Sequence, residues 1–114
     1  MKRLMAIYKQ FEVVVVPFPF TDSSKTKRRP ALVISNHREF SIDKSVLTMI
    51  TTKNHSPWSL DTEITDLSST GLKTPSIVRF KLFTIEDTLI IKKIGSLSTY
   101  DRTVIQSRIQ KLFN

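Results

Sequence analysis

Short apolar runs, many of them β-branched and separated by polar turns, occupy most of the chain. Val13–Val16 and Ala31–Ile34 have the length and composition of strands. Val46–Thr52 alternates, with Val46, Thr48 and Ile50 on one face and Leu47, Met49 and Thr51 on the other. Asp61–Ile64 reads as a short strand, Ser76–Phe80 and Leu82–Ile85 as two strands broken near Lys81, and Leu89–Ile94 as one more. Between them, Met1–Gln10 reads as an extended arm and Asn36–Ser45 as a loop with a helical turn anchored by Phe40 and Ile42. Lys53–Leu60, with Pro57 and Trp58, is a loop, and the hydroxyl-rich Asp66–Thr74, with Gly71, is a turn region. The period changes only at the end. There Ile105, Ile109 and Leu112 recur at i, i+4 and i+7 behind a Ser98–Asp101 pair spaced like a capping box, with Arg108 and Lys111 placed to favour the C-terminal dipole. That helix needs its apolar stripe buried against the sheet. The pattern predicts an α+β fold, a small curled or barrel-like antiparallel sheet with a C-terminal α-helix, in a single domain over residues 1–114.

The first two runs flank the most informative stretch. A proline-aromatic lip, Pro17-Phe18-Pro19-Phe20, is followed by a polar loop, Thr21–Thr26, and by the cations Lys27, Arg28 and Arg29. Proline has no N–H, so Pro17 and Pro19 are expected to end or bulge the first strand. Pro30 biases Arg29 toward an extended conformation at the start of the second strand. If the third strand lies beside the second, Thr51 approaches Arg29. A planar guanidinium fork and a stiff hydroxyl donor then converge on a phosphate-sized space. Lys25, Lys27 and Arg28 extend the cationic patch, Thr52 and Lys53 adjoin Thr51, and Phe18 and Phe20 offer rings for an unpaired base. Each feature also has a plainer reading. Lys/Arg runs line solvated loops, threonine is common in strands, Phe18 and Phe20 serve equally to close the core, and Trp58 reads as a packing anchor as readily as a base-stacking platform.

Composition narrows the field. A net charge of +8, from 18 Lys and Arg against 10 Asp and Glu, points to a polyanionic partner such as nucleic acid. The absence of cysteine removes disulfides, thiolate metal sites and thiol nucleophiles, and fits a reducing cytoplasm. His37 and His55 are the only histidines and stand far apart, with no cluster at metal-ligand spacing. No cofactor or metal is expected. Leu4–Ile7 is too short an apolar run for a signal-peptide core or a membrane span.

VVVVPFPFTD followed by TKRRPALVIS resembles the opening signature of the MazF/PemK toxins of bacterial type II toxin–antitoxin systems. TMITT, GLKTPSIVRF, KLFTIEDTLIIKKIGSLS and the terminal helix resemble the later segments in the same order. The likeness runs from about Phe11 to the C-terminus. It implies an SH3-like (CcdB/MazF-like) barrel, usually a homodimer. It also implies a metal-independent, sequence-specific endoribonuclease of single-stranded RNA (an mRNA interferase), neutralised by a cognate antitoxin with an acidic flexible tail. Arg29 and Thr51 match the family's catalytic pair. The products implied are a 2′,3′-cyclic phosphate and a 5′-hydroxyl. Arginine is a poor general base, which leaves the proton acceptor open, with His55 one candidate. Many relatives carry an Asp-Gln or Asp-Lys pair where this chain has Phe80-Lys81, a departure that leaves that position without its base-reading acid. Two alternatives stay open: a CcdB-like gyrase-inhibiting toxin and a non-catalytic nucleic-acid-binding module.

Overall fold

The computed structural model describes residues 7–18, 26–40, 43–53 and 57–114. Within these, six strands form one sheet: β1 (Glu12–Phe18), β2 (Lys27–Val33), β3 (Lys44–Thr52), β4 (Thr62–Glu63), β5 (Ser76–Glu86) and β6 (Lys92–Ser96). A single 3-10 turn, Asp87–Leu89, joins β5 to β6, and the helix α1 (Thr99–Phe113) closes the chain. The strand order is β4-β5-β3-β2-β1-β6, and each pairing is antiparallel. The result is the expected α+β class, a curled sheet in the form of a half-barrel with a C-terminal helix.

Both faces of the sheet are buried. Val13, Leu32, Ile34, Ile50, Val78 and Phe80 meet Leu97 and Ile105 in one cluster. Val14, Val16, Ala31, Val33, Leu47, Ile85 and Ile90 form a second, with Tyr8 and Phe83 packed against it. Side chains alternate along a strand, so two buried faces require consecutive apolar residues. This is why Val13–Val16 and Ala31–Ile34 are unbroken runs.

The turn at Ser69–Gly71 draws the two ends of the sheet together. It lies between β4 and β5 in the chain, yet Ser69 O accepts the N–H of Ser96 on β6 at 2.9 Å. A Cβ on Gly95 would meet Ser69 O at 2.4 Å and Thr70 C at 2.4 Å, so the backbones approach where only glycine leaves room. Gly71 adopts φ +77° against Ile94.

Several expectations are corrected. β5 is one strand, not two. Its pairing with β3 steps from Thr48–Leu82 to Met49–Arg79, leaving Phe80 and Lys81 as a bulge. Pro17 does not end β1 but sits inside it opposite Arg28. β6 pairs with β1 only over Glu12–Val15, so Pro17 lies where one neighbour has already departed. The last strand is Lys92–Ser96, with Leu89 in the 3-10 turn before it. Ser98 caps α1, accepting the Asp101 N–H at 3.2 Å. The Asp101 carboxylate does not return to close a capping box. Its oxygens accept the Thr65 N–H at 3.1 Å, the Thr65 hydroxyl at 2.8 Å and the Asp66 N–H at 3.2 Å, tying the helix start to the segment after β4. The helical stripe is buried only in part. Ile105 is in the core and Ile109 packs against it, but Leu112 and Phe113 are 38% and 70% exposed.

Candidate active site

The cleft forms where one ladder stops. β2 and β3 pair from Val33–Leu47 to Ala31–Met49 and no further. Pro30, which offers no N–H, is the next residue of β2. Two more steps of the same register set Arg29 across from Thr51, on the face shared by Ala31 and Met49. A cleft of about 250 Å³ opens there, lined by Phe18, Arg29, Met49, Ile50, Thr51, Trp58, Arg79 and Lys81. Among the described residues its lining holds three cations and no carboxylate.

Each element contributes for a local reason. Arg29 is exposed at the start of β2, while Thr51 is half-buried near the end of β3. Phe18 ends β1, and the Lys81 ammonium stands 5.3 Å from the centre of its ring. Lys81 belongs to the β5 bulge, a distortion that re-aims a side chain relative to a regular strand. Arg79 is fixed from two directions. Its Nε donates to Asp61 Oδ1 at 3.2 Å and its Nη2 to Asp61 Oδ2 at 2.9 Å, and its guanidinium carbon lies 5.1 Å from the centre of the Trp58 ring. Burial alone would raise the Asp61 pKa. The hydrogen bond from Arg79, the Trp58 N–H and the Arg79 charge outweigh it and hold the carboxyl below its usual range. The same contact raises Arg79 above the ordinary arginine value.

Over residues 9–113 the sequence matches the family described as PemK-like, MazF-like toxins of type II toxin–antitoxin systems. The chain belongs to this family. No curated protein sequence matches it. Solved structures share the fold. An endoribonuclease in complex with its cognate antitoxin, from a mycobacterial species, aligns with a TM-score of 0.69 at 15% identity, covering 94% of this chain and 93% of that one. The Mycobacterium tuberculosis toxin MazF-mt6 aligns at 0.68 and 19% identity, over 90% of this chain and 95% of its own. A further M. tuberculosis toxin aligns at 0.60 and 21% identity, over 73% and 90%.

In this PemK/MazF chain, the predicted site residues fall into four groups. Phe18, Arg29 and Thr51 line the cleft together. Lys27 and Arg28 are exposed on β2 just outside it, and Thr52 is exposed one position beyond Thr51. Lys53 pairs instead with Glu63 of β4, Nζ to Oε2 at 2.9 Å. Phe20, Lys25 and His55 lie outside the described residues, as does the loop from Thr21 to Lys25. Among the described residues, no group of three or more His, Asp or Glu side chains is placed to hold a metal ion. Among the same residues, no helix is long and apolar enough to cross a membrane.

Arg79 and Lys81 join the cleft although the sequence alone does not single them out. The signal was present in IVRFKLF, where two cations interrupt an otherwise apolar strand. A strand cation ordinarily faces solvent, and only the pairing of β5 with β3 shows that these two border a cleft.

Proposed function

We propose that this toxin is a metal-independent, sequence-specific endoribonuclease acting on single-stranded RNA, and that Arg29 and Thr51 are its catalytic pair. The observation that carries the reading is their presence in one open cationic cleft, on neighbouring strands, where the β2–β3 ladder has ended. The ribose 2′-oxygen attacks the adjacent phosphorus and the P–O5′ bond breaks. The 2′-hydroxyl loses its proton and the departing 5′-oxygen gains one. The ends are a 2′,3′-cyclic phosphate and a 5′-hydroxyl, and no water is consumed.

Negative charge builds on the phosphoryl oxygens as the 2′-oxygen adds. Arg29 offers a fixed charge and a fork of donors to them, and Thr51 a short hydroxyl donor. Lys81 and Arg79 add positive potential along the same cleft, and Lys27 and Arg28 extend it over the adjoining surface. Phosphodiester binding of this kind weakens as salt rises.

A cognate antitoxin with an acidic, flexible segment fits the same basic surface. A fold neighbour solved with its cognate antitoxin supports an antitoxin partner in general. A homodimer in the cytoplasm completes the reading.

The test is incubation with a mixed pool of single-stranded RNA in chelator, followed by sequencing of 5′-hydroxyl ends. Cleavage at a short recurring sequence by the wild type, absent from Arg29→Ala and Thr51→Ala proteins with unchanged circular dichroism, is the expected result. RNA left intact by the wild type overturns the reading. Inhibition of gyrase supercoiling under the same conditions would point to the gyrase-directed alternative.

A further inference from the structure

We infer that Trp58 is a base-stacking platform, positioning an unpaired nucleobase of the RNA beside the phosphate held by Arg29 and Thr51. The inference rests on the ribonuclease reading and deepens it by naming the residue that grips the substrate next to the reacting bond.

Trp58 borders the cleft with Arg29 and Thr51 and remains 48% exposed, a large apolar surface at the mouth of a charged site. An exposed indole is common enough alone. Here polar contacts hold the backbone that carries it. Asp61 Oδ2 accepts the Trp58 backbone N–H at 2.8 Å and, on the same oxygen, Arg79 Nη2 at 2.9 Å. The Asp61 N–H donates in turn to Trp58 O at 3.2 Å, closing a tight turn from Trp58 to Asp61. Within that turn Leu60 sits at φ 68°, left-handed backbone that a leucine avoids unless its surroundings fix it. Leu60 packs against the first core cluster, and Thr62 donates to its carbonyl at 2.8 Å. Trp58 thus rides on a braced turn, with Arg79 set against its ring.

The chemistry suits a nucleobase. Every base has a π-face, so stacking on an aromatic ring accepts single-stranded nucleic acid. A guanidinium against the ring adds a cation–π contribution and a positive potential toward the adjoining phosphate. A platform fixed before binding loses little freedom when a base settles on it. Phe18 is less suited, being half-buried at the end of β1.

The chain has one tryptophan, so its fluorescence reports this position alone. The probe is an RNA cut by the wild type, made uncleavable by a 2′-deoxy substitution at the scissile nucleotide. A parallel series carries a single abasic nucleotide at each position in turn. Saturable quenching of Trp58, lost when one particular base near the scissile phosphate is removed, is expected. In steady-state cleavage of the unmodified RNA, Trp58→Ala should raise KM by about 10-fold or more with kcat little changed, and Trp58→Phe should restore most of the loss. Unperturbed emission on saturation, together with wild-type KM in Trp58→Ala, overturns the platform while leaving the ribonuclease reading intact. If the wild type cuts no RNA, that reading fails on its own. The platform is then judged by quenching with mixed-sequence single-stranded RNA, whose absence overturns it as well.

Discussion

Arg79 grips Asp61 through two parallel contacts, Nε to Oδ1 at 3.2 Å and Nη2 to Oδ2 at 2.9 Å, with both side chains only 12% exposed. The pairing places the Asp61 pKa below the ordinary 3.8. A depressed carboxyl contributes stability that is fully present above the unfolded value and lost as pH falls through the lower, folded value. Acid titration followed by Trp58 emission should therefore show a local transition below pH 3.8. Asp61→Asn should abolish it, since the amide neither titrates nor holds Arg79 as an ion pair.

Arg29→Lys keeps a positive charge but loses the planar fork, so it separates charge from geometry. Single-turnover cleavage should fall by about 10²–10³, the loss expected for one transition-state donor. Thr51→Ser, which keeps the hydroxyl, should retain most of the rate that Thr51→Val loses. Circular dichroism of all three should match the wild type, because Arg29 is exposed at a strand start and Thr51 lies beyond the end of the β2–β3 ladder.

Gly95→Ala places a methyl 2.4 Å from Ser69 O and 2.4 Å from Thr70 C, both backbone atoms that move only with their whole turn. The substitution should destabilise the fold by about 1–3 kcal/mol, as overpacking does. The measurement is urea denaturation, with a lower midpoint expected.

Ser45 donates its hydroxyl to Asp87 at 2.6 Å, and both residues are buried. Ser45→Ala strips the carboxylate of this donor and leaves the 3-10 turn to its backbone bonds, Asp87 N–H to Asp43 O and Ile90 N–H to Asp87 O. A loss of about 2 kcal/mol is expected for a hydrogen bond to a buried charged group. It should appear as a lower urea midpoint at unchanged slope.

The strands were legible because β-branched runs declare themselves. Ser98 was legible as a cap because its hydroxyl acts within one turn. What stayed hidden depends on distant partners. Lys81 looks like a break in an apolar segment, yet β5 continues through it, since a bulge faults the ladder without ending the strand. Pro17 looks like a terminator, yet it is tolerated where β6 no longer flanks β1. Arg29 and Thr51 could be placed together because neighbouring antiparallel strands are a strong expectation. The Arg79–Asp61 pair spans 18 residues of sequence, and Asp61 reads locally as the start of a short strand. Asp101 likewise sits at a capping position while its oxygens serve a segment 35 and 36 residues away.

The Ser69–Gly71 turn lies along the outer side of β6, where the Ser96 N–H is already taken, and the exposed Lys92 and Lys93 follow on the same strand. At the opposite margin β4 is only two residues long. Unpaired strand margins are templates for intermolecular β-addition, and short strands, lysines and covering loops are the usual defences. Along the β6 margin little backbone is thus left to recruit further copies of the chain into aggregates.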